Sequence, residues 1–318
     1  MAEQVDSGTR AGPRPDGGPG RARLPVVGRT AMRRLAAASL VANICLVVTG
    51  GLVRLTGSGL GCPTWPRCTD TSFVAHDELG IHGLIEFGNR MLTIVLVAIA
   101  VATWVAALLL RPARRSIRRL ATALLLGIPL QAVIGGISVL TDLNPWVVSL
   151  HLLTSLALVA TAVVLLRRVD EEDRPPRPTV PRPVLLIVRA QVVVTALVLY
   201  LGTVVTGSGP HAGDVDAPRN GLAPSTVSQL HADLVFLLVG LTIGSWLALR
   251  AVGAPERAQR AARLLLGLEV AQGVVGFTQY ATDLPIALVA LHMLGAALVT
   301  AATTWLALGT RDRGHQRG

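Results

Sequence analysis

Four ionisable side chains stand out in the second, fourth, sixth and eighth long apolar runs of this chain: Glu86, His151, His231 and His292. An ionisable group in hydrocarbon is expensive and reads first as functional. His151 lies six residues after Pro145, His231 seven after Pro224, and His292 seven after Pro285. If each proline opens a helix, a rise of about 1.5 Å per residue sets all three imidazoles roughly 10 Å below one surface. Imidazoles at one depth on helices of one bundle suit ligation of a haem iron from both faces. A single histidine is equally well explained by a hydrogen bond in a core. Glu86 adds a carboxylate able to take up or deliver a proton. Cys62 and Cys68 lie in Gly61-Cys-Pro-Thr-Trp-Pro-Arg-Cys68. In an oxidising compartment they read as a short-loop disulfide, exposed and open to redox chemistry, or as two free thiols. Cys45, inside an apolar run, reads as a small packing residue.

The elements that carry these groups follow from composition. Of 318 residues, 51% are hydrophobic and only 15% charged, and mean hydropathy is +0.56. Soluble domains carry about 25% charged residues, so a soluble enzyme, a disordered chain and a small disulfide scaffold are all excluded. The net charge of +10 does not imply nucleic acid: every basic residue is arginine, clustered between apolar runs. That is the pattern of an integral membrane protein whose arginines face anionic lipid. Runs of roughly 20 apolar residues suffice to span a bilayer. Eight are expected, over 34–55, 84–110, 119–140, 146–166, 184–206, 227–249, 261–281 and 285–308. Arginines fill the segments before the first run, at 111–119, 167–182 and 250–263, and after the last. The alternate segments, 57–83, 141–145, 207–226 and 282–285, hold almost none. The positive-inside rule then places both termini in the cytoplasm of a multi-pass cell-membrane protein.

The two halves resemble each other. Gln131-Ala-Val-Ile-Gly135, Thr141-Asp142-Leu143 and His151 recur as Gln272-Gly-Val-Val-Gly276, Thr282-Asp283-Leu284 and His292, at a constant offset of 141 in the numbering. Thr56-Gly-Ser-Gly59 recurs as Thr206-Gly-Ser-Gly209. The expected fold class is therefore all-α: eight transmembrane helices as two tandem four-helix bundles in parallel repeat. The expected organisation is a disordered cytoplasmic tail (1–31), an N-terminal four-helix half (32–168), a linker (169–183), a C-terminal half (184–309) and a tail (310–318). Matching span 2 to span 6 pairs His231 with Asn89 at an offset of 142, against 149 for His82. The first choice keeps the helix lengths equal and puts the extra residues in a loop. Glu86 then corresponds to Ser228. His82 lies one turn outward of Glu86, close enough to reach a haem. His211 and His315 read as solvated loop residues, and His76, in the long loop before the second run, carries no assignment.

These residues resemble the haem A synthase family of bacteria and mitochondria. The resemblance covers 33–308 and is carried by Gly51-Leu-Val-Arg-Leu-Thr-Gly-Ser-Gly-Leu-Gly-Cys62 with Cys68, by Ile85-Glu-Phe-Gly-Asn-Arg90, and by the histidines of spans 4, 6 and 8. It implies a membrane oxidoreductase that oxidises a porphyrin methyl of haem O to a formyl, through hydroxylated intermediates, giving haem A for haem–copper terminal oxidases. It also implies that the N-terminal half holds the substrate with His151 as ligand, and that Glu86 is the essential carboxylate. A haem b would lie between His231 and His292, and Cys62 and Cys68 would form the outer-loop disulfide of the bacterial type. Arg54 and Arg90 are candidate contacts for haem propionates. The family pattern Glu-x-x-His-Arg is broken here by Asn89, so either His82 supplies the second ligand or His151 holds the substrate iron alone. The implied partners are haem O, a haem O synthase, an electron acceptor or quinone, and the lipid bilayer; an oligomer is compatible and nucleic acid is not expected.

Two rival readings remain. A non-enzymatic b-type membrane cytochrome in quinol-linked electron transfer would share the histidine pairs. It would need neither Glu86 nor the cysteines. A transporter would need a midplane site with broken helices, not histidines near one face.

Overall fold

The computed structural model describes residues 26–75 and 80–314. Most of the expected tail (1–25), His76 and His315 lie outside the described residues. Eight long helices follow in order: α1 (Arg29–Leu55), α2 (Gly80–Leu109), α3 (Arg115–Leu140), α4 (Pro145–Val169), α5 (Arg182–Ser208), α6 (Pro224–Ala251), α7 (Glu256–Ala281) and α8 (Ile286–Gly309). All eight are long and apolar enough to cross a membrane, and the chain is a multi-pass membrane protein. Several helices begin before their apolar runs do. In α1, α3 and α7 the early start comes from Arg29, Arg33, Arg115, Arg118, Arg257 and Arg260, which continue the helix outward. Arginine is a good helix former, and its stem can lie along apolar surface while the head reaches polar surroundings. Residues 29–31, expected in the tail, are therefore helical. The short strands β1 (Arg177–Pro178) and β2 (Arg311–Asp312) pair antiparallel and tie the linker to the C-terminal segment.

Prolines start the helices as expected. Pro145 opens α4 behind Asn144, whose side chain caps the amide of Trp146; Pro224 opens α6; Pro285 is the residue before α8. The α3–α4 and α7–α8 turns share an unusual backbone. Asp142 and Leu143, and equally Asp283 and Leu284, have φ between 51° and 60°, a region that non-glycine residues seldom adopt. The amide of Leu143 bonds the Ser138 carbonyl at 2.7 Å, and that of Leu284 the Gln279 carbonyl at 2.8 Å. Each residue of the second turn stands at the repeat offset from its counterpart in the first.

The buried residues repeat in the same way. One core cluster contains Met32, Ala36, Ile117, Ala121, Leu124 and Leu165. Another contains Val184, Val188, Ala258, Ala262, Leu265 and Leu306, the same positions one repeat on. Turn and core alike support the duplication. Alanines such as Ala36, Ala107, Ala162, Ala258 and Ala262 are interspersed with the large side chains of these cores, as expected where helices associate by close packing in lipid. Large apolar side chains such as Leu126, Leu130, Phe236 and Phe277 point outward. Cys45 also faces outward, so it is a surface residue of α1 and not a packing one.

The two halves touch along α1–α8, α4–α8 and α4–α5. At one of these contacts Met293 of α8 packs against Gly51 of α1, where its sulfur occupies the space a Cβ would need. The loops that join α1 to α2, α5 to α6 and α7 to α8 are interlocked too. Arg54 donates to the carbonyls of His211 (2.7 Å) and Thr206 (3.1 Å). The Gly59 amide bonds the Gly213 carbonyl at 2.8 Å, and His211 Nε2 bonds the Leu284 carbonyl at 2.9 Å. His211 is thus a half-buried tether, not the solvated loop residue expected.

Candidate functional site

In the second half the rings of His231 and His292 face each other with centroids 6.5 Å apart and planes at 71°. Two imidazoles held by one metal through nitrogen bonds of about 2 Å have centroids roughly 6 Å apart, so the spacing fits a shared iron. Each ring backs onto a glycine of the preceding helix. A Cβ at Gly202 would lie 3.3 Å from His231 Cε1, and one at Gly276 would lie 3.5 Å from His292 Cε1. A methyl at Gly202 would crowd its ring by a few tenths of an ångström and one at Gly276 would only touch, so it is longer side chains that would displace the rings. Gln272 fixes the backbone at His292 by donating to its carbonyl at 2.8 Å. Nδ1 of His292 is buried with no hydrogen-bond partner, a cost of about 1–3 kcal/mol that a ligand at this nitrogen would relieve. Among the described residues no cluster of three or more His, Cys, Asp or Glu could hold a bare metal ion. A pair of histidines suits an iron that brings its own macrocyclic ligands.

His151 occupies the corresponding place in the first half. A Cβ at Gly135 would lie 3.1 Å from its Cε1. Gln131 donates to the His151 carbonyl at 3.2 Å, as Gln272 does for His292. Nδ1 of His151 is likewise buried and unpartnered. Across the bundle, Asn89 of α2 lies over Gly50 of α1, its Nδ2 4.0 Å from where a Cβ would stand. His82 is exposed, at the outer end of α2, with Nδ1 2.9 Å from Ser58 Oγ.

Glu86 is only 6% exposed. Sequence reasoning gives it no partner; the structure gives it two. The Cys62 amide donates to Oε2 at 2.6 Å, and Arg90 donates to Oε1 from Nε (3.1 Å) and Nη2 (2.5 Å). Arg90 also donates to the carbonyls of Cys62, Thr64 and Arg67. Glu86 and Arg90, one turn apart on α2, thereby pin the cysteine loop to the helix. Trp65 in the same loop packs against Gly136 of α3, next to the glycine that backs His151. The loop is a cover over the outer end of the first half. Arg54 and Arg90, named as propionate contacts, spend their guanidinium groups on protein carbonyls and, for Arg90, on Glu86.

Cys62 and Cys68 are joined in a disulfide. Both are fully buried, in contrast to the exposed pair expected, because Arg90 and Trp65 draw the loop inward. Thiol labelling without reductant of the protein unfolded in detergent is expected to modify Cys45 and to leave Cys62 and Cys68 untouched. Full labelling of both would contradict the covered disulfide.

Sequence reasoning missed Trp65, the glycine seats and Glu269. Glu269 of α7 is 3% exposed. It accepts from Thr242 at 2.8 Å, and Thr242 and Ser245 are joined to Gln191. Its signal was present: one acid between Leu268 and Val270 in an apolar run. The first half has Ile128, Ala100 and Ser39 where the second has Glu269, Thr242 and Gln191.

The chain matches the family model described as cytochrome oxidase assembly protein, COX15-CtaA, over residues 33–225. It belongs to that family. Among relatives, a protein named Heme A synthase from Symbiobacterium thermophilum is 29% identical over 263 residues, 77% of this chain and 84% of that one. One of the same name from Listeria welshimeri is 32% identical over 144 residues, 43% of this chain and 46% of that one. One from Bacillus pumilus is 32% identical over 149 residues, 45% and 47% respectively. The COX15-CtaA match spans Glu86, His151 and both cysteines; His231 and His292 lie beyond its end.

Proposed function

We propose that the chain is a membrane oxidoreductase that converts haem O to haem A, oxidising a porphyrin methyl to a formyl for haem–copper terminal oxidases. The observation that carries this reading is the asymmetry of the halves. One half holds a facing histidine pair. The other holds one histidine, a buried carboxylate and a disulfide cover at the equivalent place. An electron-transfer cytochrome has no use for the second arrangement. Residues 32–168 are the substrate half, and residues 184–309 the cofactor half; both termini are cytoplasmic by their arginines.

In the substrate half, His151 orients haem O through its iron, and the cover formed by residues 62–68 limits access of water from outside. Taking a methyl to a formyl with electrons passed to a membrane acceptor removes four electrons and, with water supplying the oxygen atom, releases four protons. Glu86 accepts a proton, and Arg90 holds the carboxylate oxygen Oε1 in place while the Cys62 amide holds Oε2. In the cofactor half, His231 and His292 would ligate haem b, which supplies one-electron transfer when bound. A haem O synthase would deliver the substrate, and a quinone or other membrane acceptor would take the electrons.

Co-expression with a haem O producer tests the reading. Haems extracted from the purified protein are expected to include one with the mass of haem A, absent without this chain. Recovery of haem O and haem b alone, from protein that binds both, would refute it.

A further inference from the structure

The four seats of the two halves can be compared directly. Three are a glycine on an odd-numbered helix with an imidazole on the next helix: Gly135 with His151, Gly202 with His231, Gly276 with His292. The fourth is Gly50 with Asn89. Gly135 and His151 become Gly276 and His292 at the repeat offset of 141. Asn89 stands 142 before His231, and Gly50 stands 152 before Gly202, the same interval that relates the core residues Met32 and Ala36 to Val184 and Val188. Asn89 therefore sits in a ligand's seat with a side chain that is a poor ligand for haem iron, for which His, Cys, Met and Tyr are the usual donors. Its Oδ1 is buried with no hydrogen-bond partner, a cost that persists only where the site has something to offer it.

His82 does not fill the gap. Two turns outward on α2, it is displaced by about 10 Å along the helix. At the interval of 142 it corresponds to Pro224, the first residue of α6. It is exposed, and its Nδ1 is engaged with Ser58.

We infer that the first-half site is built for one histidine: His151 alone ligates the substrate iron, and the Asn89 carboxamide lines the opposite face, where it can hydrogen-bond a small oxygen-bearing ligand such as water or dioxygen. The inference rests on the proposed haem O-binding role of that half. Two imidazoles saturate an iron, whereas one leaves a position free. The two halves thus differ in what they permit: the second exchanges electrons only, and the first admits a small molecule to the iron.

The test uses full-length protein purified after co-expression with a haem O producer, in a His231→Ala/His292→Ala background that removes both second-half imidazoles. The remaining haem is expected to be high-spin by optical and electron paramagnetic resonance spectra and to bind cyanide. Asn89→His is expected to convert it to a low-spin form that no longer takes cyanide. Asn89→Leu should leave it high-spin, and His82→Ala should change nothing. A low-spin first-half haem that turns high-spin in His82→Ala would overturn the inference. Haem A recovery from the parent chain reads the proposed function separately. No haem A alongside the expected spin states would sink the oxidation and leave the ligation standing.

Discussion

Glu86→Gln is expected to lower haem A formation by at least the roughly hundredfold associated with losing a general acid or base, while the cysteine loop stays in place. The amide oxygen of glutamine can still accept from Cys62, which now bonds Oε2 at 2.6 Å. Arg90 keeps its contacts to the carbonyls of Cys62, Thr64 and Arg67. What is lost is a group that can take up a proton, together with the acceptor for Arg90 at Oε1, where the glutamine NH2 now stands. Glu86→Ala should behave differently. It leaves the Cys62 amide without an acceptor and Arg90, whose side chain is 22% exposed, without its counter-charge. Breaking a buried pair by removing one partner costs about 3–5 kcal/mol, less here because Arg90 is partly exposed. The cover should then loosen, and Cys62 and Cys68 should become reducible by agents that cannot reach them in the parent. Extracted haem quantified by mass, beside protease and reductant sensitivity of the loop, separates the two effects. Near-normal haem A output from Glu86→Gln, with the loop intact, would remove Glu86 from the chemistry and leave it a clamp.

His292→Ala is expected to abolish the low-spin b-type spectrum of the second half, and His231→Ala to do the same. The two rings face each other at 6.5 Å, so neither can be replaced by a neighbour. The protein should remain inserted, because the core cluster of Val184, Leu249, Leu265 and Leu306 is distant from both histidines along the helices. The methyl oxidation should stall in both variants while haem O binding at His151 persists. Retention of a full low-spin spectrum in both single variants would show that the pair is not the ligand set.

Much of this was legible in the sequence because it rests on local signals. Proline, then histidine six or seven positions on, set the depth of His151, His231 and His292. The spacing of Gln, Gly, Thr, Asp and His exposed the duplication, down to the left-handed turns at Asp142 and Asp283. Helix starts were harder, since apolar length marks the hydrocarbon boundary and not the end of hydrogen bonding; arginines carry α3 and α7 onward. The environment of Glu86 was not legible. One partner is the amide of Cys62, in the loop that precedes α2. The other is an arginine whose remaining contacts depend on how a proline-containing loop folds back. The same applies to Arg54, which reaches across the chain to His211 in the other half. Such contacts leave no periodic trace.

The packing of Met293 onto Gly51 bears on how the halves communicate. Gly50, the neighbour of Gly51, floors the Asn89 seat, while Met293 is the neighbour of His292. The two seats therefore stand back to back, divided by a party wall made from consecutive residues of α1 and α8. Nothing the size of a porphyrin can cross such a partition. An electron could, by way of the contact between Met293 and Gly51. The interlocked loops keep the wall at constant thickness. On the proposed reading, the first half would receive and release its large planar guest on the far side of a wall that the two halves build together.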